Sequence, residues 1–192
     1  MGYTTAFIGQ VTVTPPLNEH EVAYLTKFSR TRRVDRGNGP YYVEDASGSA
    51  TRDASGYATR GASSYATEHA ADVRDFDRPP EGQPELWCKW VPSGDGAAIG
   101  WDESEKFYGA EEWMRYLIDH FLRPGAHAQA DPGPVPPAEF AGFTFDHSVS
   151  GVIEAEGEDL EDRWHLVVAD NRVTRVEEGE PEDGWGPPPA DG

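Results

Sequence analysis

Cysteine is almost missing from this chain. Cys88 is the only one among 192 residues, so no disulfide can close within it. A lone thiol suits a reducing compartment, and a cytoplasmic location is expected. Bases are scarce too. Sixteen Lys and Arg stand against 35 Asp and Glu, a formal charge of -19. Such a chain repels phosphate backbones, so direct nucleic-acid binding is not expected. No apolar run reaches the length that crosses a bilayer, so no membrane partner is expected either. The opening MGYTTAFIGQ lacks a basic region followed by an apolar stretch, and no secretory signal is expected. The chain also lacks the dinucleotide fingerprint, the P-loop and the nucleophile elbow. His20, His69, His120, His127, His147 and His165 make no zinc-binding spacing. No cofactor and no metal are therefore expected.

What the chain has is acid, and it is unevenly spread. The last 16 residues, EEGEPEDGWGPPPADG, hold six acids and no base. High negative charge keeps a protein soluble, or copies the charge pattern of DNA for a DNA-binding partner. Mimicry needs acids on an ordered surface, and this tail should be disordered.

Residues 46–69 read ASGSATRD, ASGYATRG, ASSYATEH, one eight-residue unit three times over. The unit has no large aliphatic residue and cannot offset the entropy of ordering it. Residues 44–78 are expected to form a long mobile loop. The run PGAHAQADPGPVPPAEF, 124–140, carries five prolines, and 125–139 reads as a loop. The layout is then one domain over 1–176 and a tail over 177–192.

The domain reads as α+β, an antiparallel sheet with two main helices on one face. TTAFIGQVTV places Phe7, Gly9, Val11 and Val13 on one side of a strand. Asn18 and Glu21 make a capping-box pattern for a helix carrying Val22, Leu25 and Phe28. The basic SRTRRVDR suits the negative end of that helix. GAEEWMRYLIDHFL is a second helix, with Trp113, Met114, Leu117, Ile118 and Phe121 in one apolar stripe. LWCKWV and AAIGWD are strands joined by SGDG. The last third is a meander, with Phe143, Phe145, Val149, Ile153 and Ala155 on one parity and a tight turn at Asp170-Asn171.

The phrases GYTTAFIGQVTV, PPLNEHEVAYLTKFSRTRR, RPPEGQPELWCKWVP, DGAAIGWDESEKFY, EEWMRYLIDHFL and GVIEAEGEDLEDRW occur together. On them the chain resembles a group of small uncharacterised proteins of bacteria and phages. The resemblance covers most of the chain outside 44–78, the proline segment and the tail. It implies a compact, usually intracellular single domain, and it transfers no reaction and no site residues. The group's pattern has a glycine after the Trp-Asp pair. Here Glu103, Ser104 and Glu105 follow Asp102, which puts a glycine-dependent turn in doubt.

The stretch LWCKWVPSGDGAAIGWD, residues 86–102, gathers three tryptophans and the cysteine. In a strand Leu86, Cys88 and Trp90 share one face, and Trp87, Lys89 and Val91 the other. Trp101 comes from the partner strand. The rings are either core and loop-shielded, or one of them lines a pocket and stacks a planar ligand. WDESEKFY sets Asp102, Glu103 and Glu105 around Lys106. Asp102 or Ser104 either caps the next helix, or Asp102 and Glu105 reach a cleft as acid and base. The acids of GEDLEDRW, 157–164, read as a solvated turn, without the spacing of a calcium loop. Cys88 with His120 or His147 makes a thiol–imidazole pair only if the fold joins them.

The expectation is a binding or regulatory domain. Its surface is Trp87, Trp90 and Trp101 with Asp102, Glu105 and Lys106 at the rim. Its partner is a protein or a small planar molecule. The alternatives are a small hydrolase or transferase using Asp102 and Glu105, and a DNA-mimicking inhibitor.

Overall fold

The computed structural model describes residues 4–44, 72–134, 137–159 and 162–178. Alternation builds the first strand. Phe7, Val11 and Val13 are buried, while Thr12 and Thr14 are exposed. Gly9, at φ +103, divides that run into β1 (Ala6–Ile8) and β2 (Gln10–Thr14). Both pair antiparallel with the long strand β7 (Ser148–Glu156) in one unshifted register, from Ala6 opposite Glu156 to Thr14 opposite Ser148. A Cβ at residue 9 would sit 3.2 Å from the Val152 carbonyl, and glycine alone takes this φ without strain.

On its other side β2 pairs with β6 (Ala98–Trp101), and β6 with β5 (Trp90–Pro92). Beyond β7 lie β8 (Arg163–Ala169) and β9 (Arg172–Glu177). The order is β5-β6-β2-β7-β8-β9, with β1 beside β7 and every pair antiparallel. Asp170 and Asn171, at φ +46 and +69, close the β8–β9 hairpin in two residues. Short polar side chains tolerate that left-handed geometry.

Two helices cover one face. The first, α1 (Glu19–Arg30), starts at a complete capping box. Asn18 accepts from the amides of His20 and Glu21, and the Glu21 carboxylate accepts from the Asn18 amide. Tyr24, Leu25 and Phe28 are its buried side. The second, α2 (Ala110–Leu117), continues as a π-helical turn, Ile118–Leu122, where the Arg123 amide reaches back to the Ile118 carbonyl. Trp113, Met114, Leu117, Ile118 and Phe121 are all buried, the stripe that the helical period gave. Phe28 stacks against Tyr116 and meets Trp113 and Phe121 edge-on. Truncating one of these rings to alanine costs about 3–5 kcal/mol, because a core this full cannot collapse around the gap. On the other sheet face Ile8 and Val152 are each 51% exposed.

Three segments differ from expectation. Within the expected loop 44–78, Val73–Asp75 forms a strand, β4, against β3 (Asp35–Arg36). The repeat itself lies outside the described residues. Inside the proline segment 125–139, α3 (His127–Ala130) and the start of α4 (Pro137–Phe140) are helical, and packing decides it: Ala128 and Phe140 are buried in the core. The ladder of the first hairpin strand begins only at Trp90; upstream of it the Leu86 carbonyl accepts from the Arg33 amide. Of the expected tail 177–192, Glu177 ends β9 and the Glu178 amide donates to the Arg163 carbonyl, and residues 179–192 lie outside the described residues. No helix among those described is long and apolar enough to cross a membrane.

Candidate functional site

The hairpin register puts Trp90 directly opposite Trp101, so both rings take the helix-covered face. Trp90 is 1% exposed, and its indole N–H donates to the Ala110 carbonyl at 2.7 Å. That bond ties β5 to the start of α2. Trp101 is partly buried and meets Phe7 edge-on at 5.7 Å. Trp87 lies outside the ladder and is partly buried. The three rings therefore do not form one surface.

The polar residues of WDESEKFY form a turn. Asp102 Oδ1 accepts from the Ser104 amide at 2.9 Å and from the Ser104 hydroxyl at 2.5 Å. Lys89 Nζ donates to the carbonyls of Ser104 and Glu105. Glu103 at φ +62 and Lys106 at φ +60 are both left-handed. The turn stands where glycine was in doubt, and Glu103 carries the glycine-like conformation. Glu105 and Lys106 are exposed. The double twist delivers Phe107 inward, 6% exposed, and leaves Tyr108 at the surface, 49% exposed.

Phe7 is the hub of an aromatic cluster. The rings of Trp90, Phe107, Trp101 and Trp164 surround it at 5.3, 5.6, 5.7 and 5.8 Å, all edge-on. A cleft of about 570 Å³ opens on this cluster, beside the first turn of α2. Phe7, Phe107, Tyr108 and Trp164 wall it. Arg175, from the neighbouring strand, lies with its guanidinium 4.2 Å from the centre of the Trp164 ring and is paired with Glu177. Glu85, Glu111, Glu112 and Asp162 supply carboxylates. Gly109, at φ +64, lets the chain enter α2 here, since a Cβ would meet Pro84 at 3.1 Å. None of the six residues expected from sequence lines the cleft. Trp90 and Trp101 stand behind it, against Phe7. The signals that lead to it are Phe107, Tyr108 and the Trp164–Arg175 diagonal across the last hairpin.

The buried polar groups lie elsewhere. Glu21 and His147, each 1% exposed, form an ion pair at 3.1 Å. Burial opposes both charges. Hydrogen bonds from His147, Thr144 and Asn18 outweigh it and hold Glu21 below the usual carboxylate range. Bonds to Glu21 and the Pro15 carbonyl hold His147 above the usual imidazole range. His120 is kept neutral by burial and by His127, down to about 4, and its Nδ1 meets the Tyr41 hydroxyl at 2.7 Å. The Cys88 thiol is fully buried and pushed up to about 12 by that burial. Its hydrogen bond goes to the Trp90 carbonyl. Arg33 is buried, and among the described residues no carboxylate pairs with it. Its guanidinium donates to the carbonyls of Thr31, Pro40 and Tyr42 and lies over the Phe28 ring. Among the described residues no three His, Cys, Asp or Glu are grouped to hold a metal ion.

Comparison with known protein families, with curated proteins and with solved structures finds no match for this chain.

Proposed function

We propose that the protein is a binding domain and that its ligand seats in the cleft over Phe7 and Trp164. The observation that carries this reading is convergence. Aromatic side chains from β1, from the turn before α2 and from β8 meet at one concave opening with charged groups at its mouth. Binding sites combine an apolar floor with a few polar groups in this way. The aromatic hairpin serves the site from behind: Trp90 buttresses Phe7 and Phe107 and fixes the start of α2. A regulatory role would agree with the resemblance to bacterial and phage proteins, by analogy alone.

Tryptophan fluorescence of the intact chain, titrated with phenylalaninamide, adenosine monophosphate and short charged peptides free of tryptophan, tests the proposal. At least one probe should shift the emission saturably, and Tyr108→Ala should weaken that binding without changing the melting temperature. A full set of probes that leaves the emission unmoved overturns it.

A further inference from the structure

The charges at the cleft identify the kind of ligand. Among the described residues four carboxylates line it, from Glu85, Glu111, Glu112 and Asp162, against one base, Arg175. Arg175 is already paired with Glu177, and Glu111 with Arg115. Among the described residues Glu85 and Glu112 have no ion-pair partner, and both lie beside Gly109 at the mouth. Behind them are ring faces and edges. Aromatic faces attract cations, and the Arg175 guanidinium already lies over the Trp164 ring.

The start of α2 pulls the other way. Gly109 gives no side-chain cap, so the first amides favour an anion. That end is worth about half a positive charge. Glu111 and Glu112 in the first turn already offset it. The remaining balance is negative, and the whole chain's -19 adds a long-range field of the same sign.

We infer that the cleft takes a lysine- or arginine-bearing peptide segment of a partner protein. The aliphatic stem of such a side chain would lie along Tyr108 and Phe107, and its charged head would meet Glu85 and Glu112. This inference rests on the cleft being the binding site.

The test is calorimetric titration of the full chain with an unstructured alternating lysine–glycine peptide at about 0.15 M salt, where distant charges are screened. Three variants go alongside. Tyr108→Ala and the double variant Glu85→Gln/Glu112→Gln alter the mouth. The double variant Glu19→Gln/Glu154→Gln removes the same charge from exposed positions that do not line the cleft. Saturable binding that each mouth variant weakens roughly tenfold, and that the distant variant leaves intact, is expected. Equal weakening by both double variants would mean diffuse attraction to an acidic surface and would overturn the inference. So would the absence of binding. Tyr108-dependent binding of a glutamate–glycine peptide or of tryptophanamide, with none of the lysine peptide, would overturn the cationic ligand while leaving the cleft as the site.

Discussion

Glu21 and His147 are 126 positions apart, and they meet at 3.1 Å in the interior with almost no exposure to solvent. One oxygen of Glu21 closes the capping box of α1, and the other accepts from Thr144 and His147. His147 Nδ1 meets the Pro15 carbonyl at 2.7 Å. A carbonyl can only accept, so that nitrogen carries a proton, and the proton on the other nitrogen faces the carboxylate. The pair thereby pins the start of α1 to the chain entering β7.

The pair should show in the pH dependence of stability. Glu21 is held low, so its contribution is present above the unfolded value near 4.5 and is lost as pH falls through the folded value. His147 is held high, so its contribution is present below 6.5 and is lost as pH rises through the folded value. The melting temperature of the protein minus that of His147→Gln should be largest between these limits. Removing one partner strands a buried charge and costs about 3–5 kcal/mol. A difference that does not vary with pH would contradict the assignment.

His120 acts in the opposite sense. It is kept neutral when folded, down to about 4, by burial and by His127. Its penalty is absent above 6.5 and grows as pH falls toward about 4, because the unfolded chain binds the proton first. His120→Phe keeps a ring against Tyr116 and removes the titration. The loss of melting temperature between neutral pH and pH 5 should be smaller in that variant, even though it gives up the Tyr41 hydrogen bond.

The turn after β6 makes a backbone prediction. Left-handed conformation costs a side-chain-bearing residue about 1–2 kcal/mol, and Glu103 sits at φ +62. Glycine removes that cost but enlarges the entropy lost on folding by about 0.5–1 kcal/mol. Glu103→Gly should therefore stabilise the protein by up to about 1 kcal/mol in denaturant unfolding. The reverse experiment is Gly96→Ala in the β5–β6 hairpin. There φ is +72, and a Cβ would fall 2.2 Å from the Leu17 carbonyl. A loss above about 2 kcal/mol is expected, since the clash is with backbone and adds to the strain.

Much of the scaffold was legible because it is local. The capping box at Asn18, the apolar stripe of α2, the turn at Asp170-Asn171 and the alternation of β1 and β2 each need fewer than a dozen residues to read. The second role of Glu21 was not legible, since nothing near residue 21 announces a partner at 147. The site was legible only in part. A two-residue turn at Asp170-Asn171 sets Leu166 opposite Arg175, which makes Arg175 a diagonal neighbour of Trp164. The cleft itself draws on strands and loops that no sequence period relates. The tryptophans of 86–102 are dense in sequence, yet hairpin register turns Trp90 and Trp101 to the same inner face. Which face the helices cover is settled by packing, and a β-strand's parity cannot say.

The most direct test of the binding account uses the indole N–H resonances of the full-length protein, assigned by single Trp→Phe variants. On addition of the lysine–glycine peptide, the Trp164 signal should move saturably and the Trp113 signal, deep beneath α2, should not. Movement confined to Trp87, or no movement at any indole, would contradict the cleft as the binding site.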